Sequence, residues 1–198
     1  MELTDADLVA RVLIDDDQHA FGELVRRHQS SVRGLLRQLT RTDVALADDL
    51  AQQAFLRAYK NIRSFRCEAR FSTWIYRIAY NCFREDARRR KELVGIDEEH
   101  LQTQHDPQVA DPGLRHDLMR ALNLLPLNER SAILLCCQNG LSHDEAARVL
   151  DNPLGTVKTN VLRGRETLKS LADKATATRN DIGKHARQQS CSQENDST

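Results

Sequence analysis

Aromatic and basic side chains crowd into one stretch of this 198-residue chain. Eight of its nine aromatic residues (Phe55, Tyr59, Phe65, Phe71, Trp74, Tyr76, Tyr80 and Phe83) fall in or beside residues 57–91, which carry eleven bases against Glu68, Glu85 and Asp86. Aromatic faces stack on unpaired bases, and interleaved arginines neutralise phosphate and add cation–π attraction. The pattern therefore suits single-stranded nucleic acid. On a helix following Ser72, Trp74, Arg77, Asn81 and Arg84 recur every three or four residues and share one side, while Ile75, Ile78, Ala79 and Cys82 are spaced for burial. Just before it, residues 63–70 read Arg-Ser-Phe-Arg-Cys-Glu-Ala-Arg, an irregular basic loop whose side chains could receive a flipped base. A small domain also uses aromatics as core, and Phe55, Phe71 and Phe83 fit that role better. For the set as a whole, binding is the stronger reading.

A second constellation lies near the other end. Ser142 followed by Glu145 is a capping box opening a short helix to 150, Asp151 and Asn152 make a turn, and Pro153 suits the start of a last helix to about 171. Val157, Val161 and Leu168 give that helix an inner face, leaving Lys158, Thr159, Leu162, Arg163 and Glu166 outside. This is the layout of a helix-turn-helix, and Lys, Thr and Arg near the start of its second helix suit a DNA major groove. An ordinary helical hairpin with a solvated face is the plainer alternative.

Enzymatic chemistry finds little support. There is no Gly-rich phosphate loop, no His-Glu-x-x-His and no nucleophile with a base. Asp15, Asp16 and Asp17, like Asp48 and Asp49, are adjacent and diverge around a helix, so they read as caps and solvated faces rather than metal ligands. His100, His105 and His116 have no partnered cysteines, which makes a poor metal site. Neither a metal nor a cofactor is expected. The five cysteines (Cys67, Cys82, Cys136, Cys137 and Cys191) form no Cys-x-x-Cys pair and read mostly as buried or incidental reduced thiols.

The elements that must position these residues are all helical. Apolar periodicity predicts helices over 5–14, 18–39, 44–62 and from just after Ser72 to about 90, with Thr4 capping the first. The pattern fails over 92–113, where Gly95, Pro107, Pro112 and Gly113 interrupt an acidic segment that reads as a flexible linker. It returns with Leu118, Leu122 and Leu125, stops at Pro126, and resumes in a helix that Asn128 could cap, with Ile133, Leu134 and Cys137 inward, ending at Asn139 and Gly140. The expected fold class is all-α: two small helical domains, 1–91 and 114–173, and a polar, disordered tail over 174–198. Lys and Arg number 29 and Asp and Glu 29, and the balance hides an acidic, basic, acidic layout: seven acids and one base in 1–24, and seven acids with only Arg115 in 92–117. With no apolar span and an acidic start, a cytoplasmic protein without membrane insertion is expected.

Three stretches, in order, resemble the extracytoplasmic-function (ECF) group of the bacterial sigma-70 family. Residues 48–59, Asp-Asp-Leu-Ala-Gln-Gln-Ala-Phe-Leu-Arg-Ala-Tyr, are similar to the helix such factors lay on the coiled coil of the polymerase β′ subunit. Residues 71–81, Phe-Ser-Thr-Trp-Ile-Tyr-Arg-Ile-Ala-Tyr-Asn, resemble the segment that melts and reads the downstream promoter element. The third runs from Leu125 and Pro126 through Gly140, Leu141 and Ser142, then Glu145, Ala146 and Ala147, to Pro153, Leu154, Gly155, Thr156, Val157 and Lys158, and is like the reader of the upstream element.

The likeness spans roughly residues 5–171 and implies a promoter-specificity factor, not an enzyme, that acts with core RNA polymerase (β′ and β subunits). It places Asp48, Asp49, Gln52 and Gln53 at the polymerase. Arg63, Phe65, Arg66, Arg70, Trp74, Arg77, Asn81 and Arg84 fall at the single-stranded downstream element, and Lys158, Thr159, Leu162 and Arg163 at the upstream duplex. An anti-sigma partner, often membrane-anchored and able to hold the factor at the inner membrane, is implied as well. Gln53 stands where many relatives have an acid, and Asn160 and Leu162 where an Arg and a larger side chain are frequent, so the promoter sequence does not carry over. A helix-turn-helix regulator acting without polymerase is the alternative; it leaves the aromatic and basic first domain unused.

Overall fold

The computed structural model describes residues 3–41, 43–66, 68–94 and 114–193, with no side-chain description at residue 94, over 114–117 or beyond 173. Among these residues there are helices and no strands. The first helix, α1 (Asp5–Asp15), starts at Thr4, whose hydroxyl accepts from the Asp7 N–H while the Asp7 carboxylate accepts from the Thr4 N–H at 2.8 Å. That reciprocal cap satisfies two N–H groups that the helix itself cannot. Asp16, in the left-handed region at φ 51°, ends α1, and Asp17 caps α2 (Gln18–Leu39) by accepting from the His19 and Ala20 N–H groups. Two of the three adjacent acids thus serve helix ends.

Helix α3 (Val44–Lys60), capped by Asp43, lies against α2 and α4 (Phe71–Val94), and a 3-10 turn (Ile62–Ser64) leads toward α4. Ala47, Ala51, Ala54 and Ala58 are all buried in α3. Their small side chains bring its backbone close to its neighbours, and the space between is filled by Leu24, Leu35, Leu36 and Ile75, each removed from water. Full burial of a Leu or Ile contributes about 1.5–3 kcal/mol, so these four outweigh any single surface ion pair. Leu8, Val9 and Val12 add α1 to this core. Arg27 reinforces the attachment, donating to the Leu3 carbonyl at 2.7 Å and pairing with Asp5 at 3.3 Å.

The second group comprises α5 (Leu114–Leu124), α6 (Leu127–Ile133), a π-type turn (Leu134–Gln138), α7 (His143–Leu150) and α8 (Leu154–Gln193). Several local expectations change here. Pro126, not Asn128, occupies the N-cap of α6, and its carbonyl accepts from the Arg130 N–H at 2.9 Å. Leu118 is 52% exposed, leaving Leu122 and Leu125 as the buried part of that stripe. Cys137 is exposed rather than inward, because the wider π-type turn rotates it off the line set by Ile133 and Leu134. Of the other thiols, Cys82 is buried and Cys136 half-buried, while Cys67 and the Cys191 side chain lie outside the described residues.

At its other end, α4 continues to Val94, past the expected stop near Arg90. Helix α8 continues beyond 171 to Gln193, since no proline interrupts that polar segment. The rest of the expected linker, with His100 and His105, lies outside the described residues, as does the His116 side chain.

The two groups are in contact. Helix α7 packs on α4, α6 approaches the end of α2, and the buried apolar residues of both groups form one continuous cluster.

Candidate nucleic-acid interfaces

The face of α4 is built on an aromatic wedge. Phe65 sits 5.9 Å from Phe71, edge to face, and 5.2 Å from Trp74, while His28 of α2 stacks on Phe71 at 5.2 Å and pairs with Asp5 at 2.7 Å. This packing fixes the direction in which the 63–70 loop meets α4. Arg63, Arg66, Arg70, Arg77, Asn81 and Arg84 all reach solvent, and Trp74 is half-buried. Phe65 is buried, so the structure removes it from the exposed set.

The same holds for most of the aromatic cluster. Phe55, Phe71, Tyr76, Tyr80 and Phe83 are buried, and Tyr59 packs on Phe21 at 4.9 Å. With an alanine-rich α3 alongside, α4 must supply bulk to fill the core. The aromatics are mainly structural, and the arginines, Asn81 and Trp74 form the face. Arg57 pairs with Glu85 at 2.7 Å, which raises the Arg57 pKa and ties α3 to the middle of α4.

Helices α2 and α3 border a groove of about 640 Å³. Phe21, Val25, Phe55 and Leu56 line it, with Asp48, Asp49 and Gln52 among its polar residues. Asp48 is held by Arg33 and Arg37, each at 3.5 Å. Gln53, one position round the helix, is not among the lining residues. Sequence reading missed the apolar half of this groove, although Leu56, an exposed leucine three and four residues from Gln53 and Gln52, was a visible break in the polar face of α3.

The helix-turn-helix is present in full. Gly140, at φ 68°, closes the preceding turn where other residues would be strained. Ser142 and Glu145 cap α7 reciprocally at 2.9 and 3.2 Å, and those bonds, the Ser142 backbone N–H first, hold the Glu145 carboxyl below its usual range. Asp151 turns the chain at φ 53°, and Val157 and Val161 bury the inner face of α8. A Cβ on Gly164 would stand 2.9 Å from Ile133, so glycine permits the close approach of α8 to α6. Outward, Lys158, Thr159, Leu162 and Arg163 are exposed together. The Thr159 hydroxyl donates to the Gly155 carbonyl at 2.9 Å, leaving its oxygen free to accept.

Sequence reading also missed the residues that join the two groups: Thr73, Tyr76, Arg130 and Asn139. Their partners lie far off along the chain, so no local pattern marks them.

A helical protein with a basic face on one group and an exposed helix-turn-helix on the other is thereby defined. Residues 24–92 match the family model for Sigma-70 region 2, and residues 115–168 that for Sigma-70, region 4. The ECF RNA polymerase sigma-E factor of Haemophilus influenzae is 35% identical over 184 residues, covering 85% of this chain and 95% of that protein. The ECF RNA polymerase sigma factor SigW of Bacillus subtilis is 37% identical over 172 residues, 79% of this chain and 91% of that protein. Among solved structures, the sigma factor RpoE in complex with the anti-sigma factor NepR from Bartonella quintana superposes with a TM-score of 0.65 at 27% identity, covering 77% of this chain and 96% of that one. CnrH in complex with the cytosolic domain of CnrY gives 0.63 at 26% identity, with coverage of 86% and 97%. The chain belongs to the ECF sigma factors of the sigma-70 family.

Proposed function

We propose that this sigma factor seats core RNA polymerase in the α2–α3 groove, opens and reads the downstream promoter element with α4, and reads the upstream element as duplex with α8. The observation that carries this reading is the exposure of two separate basic faces on one chain, each on a helix whose other side is packed against its neighbours. Arg63, Arg66, Arg70, Arg77 and Arg84 neutralise the phosphates of an unpaired strand, Trp74 offers a stacking face, and Asn81 supplies an amide that both donates and accepts at a base edge. Lys158 and Arg163 donate to guanine or phosphate from the major groove, while Thr159 and Leu162 contact base edges and thymine methyls. Asp48, Asp49 and Gln52 form the polar rim around an apolar seat for a helical partner.

In this reading 1–91 and 114–173 are the functional domains, and polymerase supplies all of the catalysis. No helix among the described residues is long and apolar enough to cross a membrane, which accords with a cytoplasmic factor. The solved complex of RpoE with the anti-sigma factor NepR supports an inhibitory partner of the same kind here.

Run-off transcription with core enzyme over genomic fragments tests the reading. Initiation at discrete sites, lost on Arg77→Ala with Asn81→Ala, is the expected result. A verified active core that initiates nowhere with this chain defeats it.

A further inference from the structure

Helix α1 is tied to both ends of the basic loop that precedes α4. It lies alongside the 3-10 turn Ile62–Ser64, where that loop begins. At the other end the connection runs through one side chain of α2, His28. Its Nε2 donates to Asp5 Oδ2 at 2.7 Å, and its imidazole lies against the ring of Phe71, the first residue of α4, with centroids 5.2 Å apart and planes tilted by 49°. The other oxygen of Asp5 takes Arg27 Nη1 at 3.3 Å, so the carboxylate is held at both oxygens.

An imidazole tied by one edge to a fixed carboxylate does not rotate freely. The His28 side chain is 15% exposed and forms a wall behind Phe71. Phe71, 3% exposed, meets two further rings, Phe65 at 5.9 Å and Trp74 at 5.7 Å, and those two meet each other at 5.2 Å. Rings closed on one another in this way move together, because a close-packed interior has no empty space to absorb a displacement of one of them.

We propose that His28 is a positioning residue for strand opening: held by Asp5, it fixes Phe71 and thereby sets the angle at which Trp74 meets an unpaired base. The inference rests on the reading of α4 as the strand-opening face. Stacking depends on the tilt and offset of the two faces, so a Trp74 ring free to tilt loses part of that contact without leaving its place in the fold. A residue that merely anchored α1 to α2 would need only the hydrogen bond to Asp5, which glutamine also supplies. A residue that braces Phe71 needs the ring, which phenylalanine supplies without the donor.

Trp74 is the only tryptophan in the chain, so the emission of the free, full-length protein reports directly on the wedge. Opening is measured with core polymerase at a promoter located by wild-type run-off transcription, as permanganate reactivity relative to DNase protection of the upstream element in the same complexes. All measurements are made below the melting temperature of each variant. His28→Gln should raise acrylamide quenching of Trp74 and lower opening per bound complex by about three- to tenfold, the range that an aromatic contact supplies. His28→Phe should keep both readouts close to wild type. Opening that is unchanged in His28→Gln, opening that falls with no change in Trp74 quenching, or a His28→Phe variant as impaired as His28→Gln overturns the proposal. Wild-type protein that opens the promoter while His28→Gln matches it removes this inference alone; wild-type protein that never initiates with a verified core removes the strand-opening reading and this inference with it.

Discussion

The two nucleic-acid faces are built in opposite ways. The α4 face is the outer surface of a packed core: Trp74 leans on Phe65 and Phe71, Arg77 is flanked by buried Tyr76 and half-buried Ile78, and Cys82 and Phe83 fill the interior behind Asn81 and Arg84. The α8 face projects outward, backed by Val157, Val161 and Leu168 and by the close approach of Gly164 to α6, and Leu162 on it is 58% exposed. A surface that must unstack bases needs rigid support to hold an extruded base in place. One that reads an intact duplex needs only a helix presented at the right angle, since the groove supplies the complementary shape. Stability and binding are accordingly entangled on α4 and separable on α8.

The largest effect that could break this contrast is at Ile75, fully buried beneath the α4 face. Ile75→Ala should lower unfolding free energy by about 2–5 kcal/mol in denaturant titration and abolish initiation well below the wild-type melting temperature. A loss under about 1 kcal/mol would show that the core does not brace the face. Next, Arg77→Ala with Asn81→Ala removes exposed side chains and should leave stability within about 0.5 kcal/mol. Open-complex formation, followed by permanganate footprinting, should fall by roughly tenfold or more, given about 1–3 kcal/mol per base contact.

Ser142→Ala removes the cap that aims α7 and should cost about 1 kcal/mol in thermal unfolding. The same cap has a pH signature. Glu145 has a folded pKa below its ordinary 4.5, so its stabilisation is complete above that value and is lost as pH falls through the folded one. Wild-type protein should lose more stability on acidification below about pH 4.5 than Glu145→Gln does. Smallest of all, Lys158→Ala should leave unfolding unchanged and reduce the salt slope of upstream-element binding, measured with polymerase, by about one. A marked fall in melting temperature on that substitution would mean that α8 is structural after all.

How much was legible in advance depended on the range of the physics involved. Helix boundaries were set by neighbours: Thr4, Asp17, Asp43 and Ser142 each cap within three residues, and Gly140 and Asp151 turn the chain locally. Exposure of Lys158, Thr159, Leu162 and Arg163 followed from helical period alone. The aromatic cluster misled because composition marks a side chain as able to stack without revealing what it stacks on; Phe65 and Tyr80 face other parts of the same chain.

Sequence by itself determined the helical elements, the caps at Thr4 and Ser142 and which side of α4 and α8 carries charge, because those depend on residues within a turn or two of each other. Tertiary structure alone decided that most of the aromatics are core, that α2 and α3 border a groove beside Asp48, and that Glu145 meets Arg70 and Thr73. These depend on pairs far apart along the chain, whose proximity is set by how whole helices share one buried surface.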